Sequence, residues 1–282
     1  MLETVIIKPS EVVPETGALL VRTFQTILPV GVLQIAQGDG FVGSQLVSNE
    51  GVHMIAMTGS SATGKKILAT AASQMKRVVL EMGGKDPMIV FQDADLEKAA
   101  RDSVAYSLCN TGQVCCSIER IYVAESVYER FQELAKKYAA EYKVGNGMDK
   151  ENKVGPLVSA LQRDIVKEQV DDAIAKGAKV LYTSSMPENT NGTFYPVTVL
   201  ANVTQEMKVL YEETFGPVVA MTKFDGSEEQ AVRLANNSEY GLGSCVYTQD
   251  LKKAERIAEK IGAGQVGINC YALDNMDVNC PW

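Results

Sequence analysis

A glycine turn, a strand-terminal glutamate and a pair of adjacent cysteines are the parts of this 282-residue chain that could do chemistry. The turn is Gly59-Ser60-Ser61-Ala62-Thr63-Gly64-Lys65-Lys66, between an apolar run and a helical pattern. Such a turn exposes backbone N–H groups and aims a helix dipole at a phosphate. It almost reads as a P-loop, but Lys66 stands where a Ser or Thr would hold Mg²⁺. A P-loop nucleotide hydrolase also needs an acidic magnesium residue at a strand end, and Asp93 is the candidate; a tight turn with no ligand is the plain alternative. The second segment, Leu80-Glu81-Met82-Gly83-Gly84-Lys85, puts a carboxylate at the end of an apolar strand. That is the carboxyl edge of a sheet, where open α/β folds bind ligands. A carboxyl group buried there becomes less acidic and suits general-base work, whereas an exposed one pairs with a nearby lysine. The third segment, Leu108-Cys109-Asn110-Thr111-Gly112-Gln113-Val114-Cys115-Cys116, sets cysteines beside a glycine turn. A thiolate in such a loop is a nucleophile; a redox pair or plain packing are the other readings.

Composition narrows the field. Lys and Arg total 27 against 35 Asp and Glu, a net charge of −8 with no basic cluster, so a nucleic-acid partner is not expected. The most apolar stretch, residues 27–36, is interrupted by Pro29, Gly31 and Gln34 and falls short of the ~20 residues a membrane span needs. No basic region followed by an apolar one opens the chain, which points to a cytoplasmic protein. Six cysteines, at 109, 115, 116, 245, 270 and 280, are too few for a disulfide scaffold of this length. A single histidine, His53, within an apolar run, reads as a packed residue and leaves no multi-histidine metal site. Proton chemistry therefore falls to carboxylates. With 46% hydrophobic and 22% charged residues the chain is globular, long enough for one large domain or two modest ones.

The elements that must carry these segments alternate strand and helix. Strands are expected at 4–7, 31–36, 52–57 and 78–81, and helices at 14–27, with Pro14 in the first turn, and at 62–74. Residues 38–43 read as a glycine-rich turn. Continuous apolar strands joined by helices predict a parallel sheet covered on both faces. Further on, a helix at 96–108 precedes the cysteine loop and a strand at 118–123 follows it. Ser126 with Glu129, Ser159 with Gln162 and Ser227 with Gln230 are capping-box pairs, and Gly177 is a helix stop. Residues 187–192 form the one polar loop of note.

Taken together, the segments resemble the NAD(P)-dependent aldehyde dehydrogenase superfamily along the whole chain. Lys8-Pro9-Ser10-Glu11 is similar to its K-P-S-E turn, and Thr58-Gly59-Ser60 with Gly64 to its phosphate loop, with Met57 in place of the usual Phe. Glu81-Met82-Gly83-Gly84-Lys85 resembles E-L-G-G-K, and Gly112-Gln113-Val114-Cys115 resembles G-Q-x-C. Glu213-Thr214-Phe215-Gly216-Pro217, Asn236-Asn237 with Tyr240-Gly241-Leu242, and Ile268-Asn269-Cys270-Tyr271 follow in the family's order. The resemblance implies an α/β, aldehyde dehydrogenase-like fold. It comprises a parallel Rossmann-type sheet remnant in a partial NAD-binding domain (1–83) and an α/β catalytic domain (84–282), truncated at its C-terminus. It implies oxidation of a small-molecule aldehyde to a carboxylic acid by a homo-oligomer. Cys115 would be the nucleophile, Cys116 a neighbour, Cys109 structural, and Glu81 the base for the hydrolytic water. Lys8 and Glu11 would bind the adenine ribose, Gly59 and Ser60 the pyrophosphate, and Glu213 the nicotinamide ribose with Phe215 packed beside it. A carboxylate at Glu11 repels a 2′-phosphate, which favours NAD over NADP.

Three departures accompany the match. The family's oxyanion-holding asparagine lies upstream of its K-P-S-E turn, and its oligomerisation strand lies beyond the position of Trp282. Both ends therefore read as truncated, one missing oxyanion donor costs about 10²–10³ in rate, and a non-catalytic aldehyde dehydrogenase fragment is the alternative to an active enzyme. Ser117-Ile118-Glu119 also replaces the smaller residues common after the nucleophile.

Overall fold

A computed structural model describes residues 3–188 and 191–271, which divide into two compact units at residues 82 and 83. Cys280, residues 189 and 190 of the polar loop and the 279–282 segment lie outside the described residues.

The first unit runs β1 (Val5–Ile7), α1 (Pro14–Gln25), β2 (Leu33–Ile35), α2 (Gly40–Ser48), β3 (Met54–Thr58), α3 (Ser61–Ala72) and β4 (Arg77–Glu81). Strands β1 and β2 pair in parallel, as do β3 and β4. The doubly covered sheet expected here does not form. The four strands make two separate pairs, and apolar side chains such as Val5, Ile6, Met54 and Val79 stay about half exposed. A small core of Val47, Ile55 and Ala71 holds α2, α3 and the second pair together. The glycine-rich stretch at 38–43 is a turn only in its first half. Asp39 accepts a hydrogen bond from Phe41 N and so starts α2 at Gly40, an N-cap that outweighs the glycines. His53 is exposed, not packed.

The second unit supplies the covered sheet. It runs β5 (Asp86–Val90), α4 (Leu96–Leu108), a turn at Cys109–Gly112, β6 (Ile118–Ala124), α5 (Tyr128–Ala139), β7 (Lys143–Val144), β8 (Asn152–Val154), α6 (Ala160–Ala175), β9 (Lys179–Thr183), β10 (Thr198–Ala201), α7 (Lys208–Tyr211), β11 (Val218–Phe224), α8 (Glu228–Ala235), β12 (Gly243–Tyr247), α9 (Leu251–Ala258) and β13 (Gln265–Ile268). The seven-stranded order is β13-β12-β5-β6-β11-β10-β9, with only β9 antiparallel. Register sets Cys245, Met88, Ile121 and Met221 in one row, and alternation sends Val246, Ile89 and Tyr122 to the opposite face. The first row packs with α4 and α5, the second with α6, α8 and α9, so the central strands are buried on both sides.

Ser159 and Ser227 cap α6 and α8 as their spacing predicts, and Gly177, with φ +100°, ends α6. Ser126 does not cap. The 3-10 turn Glu125–Val127 takes its place, and Val127 enters α5 with no side-chain cap.

Candidate active site

In the first unit, the Lys8 ammonium donates to the carbonyls of Pro9 (2.8 Å) and Gly38 (2.7 Å), and meets the exposed Glu11 carboxylate at 3.4 Å. One side chain thus ties the Lys8–Glu11 turn to the glycine turn after β2. A hydrogen bond to its own backbone amide, followed by the Lys8 charge, holds Glu11 below the usual carboxylate range, so it is an anion able to accept two hydroxyl donors. Gly59 N donates to Glu81 O at 3.0 Å, which joins the ends of β3 and β4. Ser60 accepts from Thr63 N at the start of α3. Glu81 ends β4 half-buried.

In the second unit the chemistry gathers at the amino ends of β5, β6 and β11, which lie side by side. The cysteine turn is strained. Asn110, Thr111 and Gly112 have φ of 49°, 64° and 73°, and each non-glycine residue in that region costs roughly 1–2 kcal/mol. Local bonds hold the conformation. Gln113 N and Nε2 both donate to Asn110 O, Gln113 Oε1 accepts from Val158 N at 2.8 Å, and Thr111 Oγ1 accepts from Gly155 N at 3.1 Å. Gly112 is obligatory, because a Cβ there would lie 2.1 Å from Gly216 O. Strain held by surrounding bonds is a mark of functional turns. This turn delivers Cys115 half-buried and Cys116 buried, while Cys109 is exposed rather than a core thiol. Its hydrogen bond with Cys115, then burial, keep the Cys116 thiol far above its ordinary range and therefore neutral.

Gly83 and Gly84 fit against this turn and against Glu213. A Cβ on Gly83 would stand 2.6 Å from the Glu213 carboxylate, and one on Gly84 would stand 2.2 Å from Cys115 O. Gly84 N donates to Glu213 Oε1 at 3.0 Å. Burial pushes Glu213 up to about 7, against the pull of the Gly84 amide.

Residues 213–215 are held from behind by a buried network. Glu119, on β6, accepts from Thr214 N (2.8 Å) and Phe215 N (3.0 Å) and pairs with the buried Lys85 ammonium at 2.5 Å. Lys85 also reaches Thr214 Oγ1 at 2.8 Å, and that hydroxyl donates to Gln169 Oε1. Gln162, expected in a capping box, instead donates to the carbonyls of Thr214 and Phe215. Phe215 is left-handed, with φ +50°. Arg120 donates to Lys85 O and to the last carbonyls of α8, Leu234 and Ala235, where a cation suits the helix dipole. Asp86 accepts from Tyr271 Oη at 2.8 Å, and burial pushes it up to about 7. None of these supporting roles is visible in sequence, although the bulk of Glu119 after the cysteines marks the position as unusual.

A profile of the aldehyde dehydrogenase family matches residues 3–282. The chain belongs to the aldehyde dehydrogenase family. A betaine aldehyde dehydrogenase of Sinorhizobium fredii is 38% identical over 279 residues, which are 98% of this chain and 57% of that relative. A lactaldehyde dehydrogenase of Escherichia coli is 39% identical over 269 residues, 94% of this chain and 56% of the relative. Among solved structures, lactaldehyde dehydrogenase from Escherichia coli is similar with a TM-score of 0.90 at 38% identity, covering 98% of this chain and 57% of that one. A betaine aldehyde dehydrogenase from Staphylococcus aureus in complex with NAD+ is similar at 0.87 and 34%, covering 95% and 54%. The fold is therefore that of aldehyde dehydrogenases, and the chain spans little more than half the length of the curated relatives it matches.

Within this aldehyde dehydrogenase fold the P-loop alternative finds no support. Ser60 is a helix cap. Asp93 accepts from Thr248 Oγ1, Gln249 N, Asp250 N and Lys253 Nζ, which fixes the start of α9. Among the described residues, no helix is long and apolar enough to cross a membrane.

Proposed function

We propose that this aldehyde dehydrogenase chain carries the nucleophile, base and cofactor contacts for oxidising an aldehyde to a carboxylic acid with NAD. The carrying observation is the strained turn that delivers Cys115 beside Gly84, whose amide holds the Glu213 carboxylate. In this reading the Cys115 thiolate adds to the aldehyde carbonyl to give a thiohemiacetal. The chemistry that NAD would supply when bound is that of a hydride acceptor for this carbon, which would leave a thioester. The resulting thioester stays on Cys115 until Glu81 takes a proton from the attacking water. Splitting one hard step into two easier ones is the value of a thiol here, since thioesters hydrolyse readily.

The residues fit the cofactor. Glu11 offers an exposed anion on its turn, Lys8 orders that turn, and α3 presents its first N–H groups after Gly59 and Ser60. Glu213 offers Oε2, with Phe215 beside it. An anion at Glu11 disfavours a 2′-phosphate, so NAD is preferred to NADP. The names of the relatives suggest small aldehydes such as betaine aldehyde and lactaldehyde as first substrates to assay. Family membership and charge together support a cytoplasmic homo-oligomer without a nucleic-acid partner. NADH formation from these aldehydes, followed by absorbance, tests the proposal; none with any small aldehyde overturns it.

Two results follow for the carboxylates. Glu81→Gln is expected to give a burst of NADH stoichiometric with enzyme and then stall, because thioester formation needs no water activation. Normal steady-state turnover in rapid-mixing kinetics would assign the base elsewhere. Glu213, raised from its ordinary 4.5 to about 7, holds a proton in the fold at pH values where the unfolded chain has lost it. Its contribution to stability therefore declines as pH rises from about 4.5 to about 7. The ionised carboxylate accepts a ribose hydroxyl more strongly than the neutral acid, so NAD affinity should rise as pH passes through about 7. Fluorescence titration of NAD from pH 6 to 8 checks this, and Glu213→Gln should flatten the profile.

A further inference from the structure

We infer that Glu119 is a positioning residue for the nicotinamide half of the cofactor site: its buried carboxylate, anchored by Lys85, sets where residues 213–215 stand. The inference rests on the reading that Glu213 and Phe215 receive that half of NAD.

The geometry is a clamp. Both carboxylate oxygens of Glu119 accept backbone amides of consecutive residues, Thr214 at 2.8 Å and Phe215 at 3.0 Å. Lys85 binds the carboxylate at 2.5 Å and the Thr214 hydroxyl at 2.8 Å, so one ion pair grips both backbone and side chain of Thr214. On the other side, Gln162 donates to Thr214 O and Phe215 O, and Gln169 Nε2 donates to Glu213 O at 3.1 Å. These bonds hold Phe215 in the left-handed region, where a phenylalanine does not rest unaided. Glu213 thereby faces forward onto the Gly84 amide.

Glu119 lies on β6, four residues after Cys115, yet its carboxylate contacts the 213–215 loop and Lys85. Both charges are buried, with side-chain exposures of 0% and 5%, and removal of one partner leaves the other uncompensated. The two halves of the chemistry, thiol and cofactor carboxylate, are in this way fixed to the same strand. Glu119 touches neither, so its effect should appear in cofactor binding and hydride transfer and not in thiol reactivity.

The test compares wild type with Glu119→Gln in the full chain by three measurements. The expected result is faster hydrogen exchange confined to the amides of residues 213–216, an NAD dissociation constant raised about tenfold, and iodoacetamide labelling of Cys115 within about twofold of wild type. Should Glu119→Gln not fold, Gln162→Met releases the same loop from the half-buried surface of α6, and an NAD dissociation constant raised about threefold is expected. Unchanged exchange at 213–216, or unchanged NAD affinity in a protein that binds NAD, overturns the role of Glu119. Labelling slowed as strongly as NAD binding is weakened also overturns it, since Glu119 would then act on the thiol. Wild type that shows no NAD binding overturns instead the reading of Glu213, and the positioning role falls with it.

Discussion

Cys115→Ala is expected to abolish aldehyde oxidation while leaving NAD affinity unchanged. Without the sulfur no covalent adduct forms, and loss of a covalent nucleophile lowers turnover by a factor on the order of 10⁶. The neighbouring thiol cannot substitute. Cys116 is buried and held neutral by its bond to Cys115 and by desolvation, and loss of that bond leaves the desolvation in place. The fold should tolerate the change, because Cys115 meets Gly84 through its backbone carbonyl, which alanine retains. The decisive pair of measurements is steady-state NADH formation and iodoacetamide labelling followed by peptide mapping. Turnover above background in the alanine variant, or full activity of wild type after complete alkylation at Cys115, would remove the nucleophile assignment.

Gly84→Ala should have the second largest effect, acting through shape and not through a functional group. The new methyl would stand 2.2 Å from Cys115 O and 2.9 Å from Asp86 Oδ1. The first of these is a backbone atom, so backbone must move, at a cost of about 1–3 kcal/mol or more. Two outcomes are expected together. The thermal midpoint falls by several degrees, and turnover falls about 100-fold, since a displacement near 1 Å at a reacting group is enough for that loss. The Gly84 amide also holds Glu213, so NAD affinity should weaken in parallel. Gly147→Ala is the control, because a Cβ there meets nothing within 4 Å. A Gly84→Ala protein with wild-type turnover and midpoint would show that the cysteine turn is not seated as described.

Local signals were legible where a few residues suffice to produce them. The serine caps at 159 and 227, the glycine stop at 177 and the apolar strand β6 all follow from short-range patterns. Signals misled where a competing local bond won. The Asp39 cap turns a glycine-rich stretch into α2, and the 3-10 turn before Tyr128 displaces Ser126 as a cap. In Gln162 the backbone amide keeps the expected bond to Ser159, but the side chain serves a loop fifty residues away.

The sequence by itself determined the segments that carry the family resemblance and their order. Glu81 with its glycines and Cys115 after Gly112-Gln113 are recognisable as candidates from residue types at short spacings, because turn geometry is decided within about four residues, whereas Glu213 before Phe215 is recognisable only through the family resemblance. Tertiary structure alone decided that the cysteine turn, Gly84 and Glu213 meet at the amino ends of β5, β6 and β11, since strand order is not written in any local pattern. It alone decided that Glu119 and Lys85 are buried partners of a loop 95 and 129 positions away, because desolvation depends on which elements close over a charge. It alone decided, too, that the first four strands stand as two pairs with open apolar faces, because pairing between strands is settled by what packs upon them and not by their own alternation.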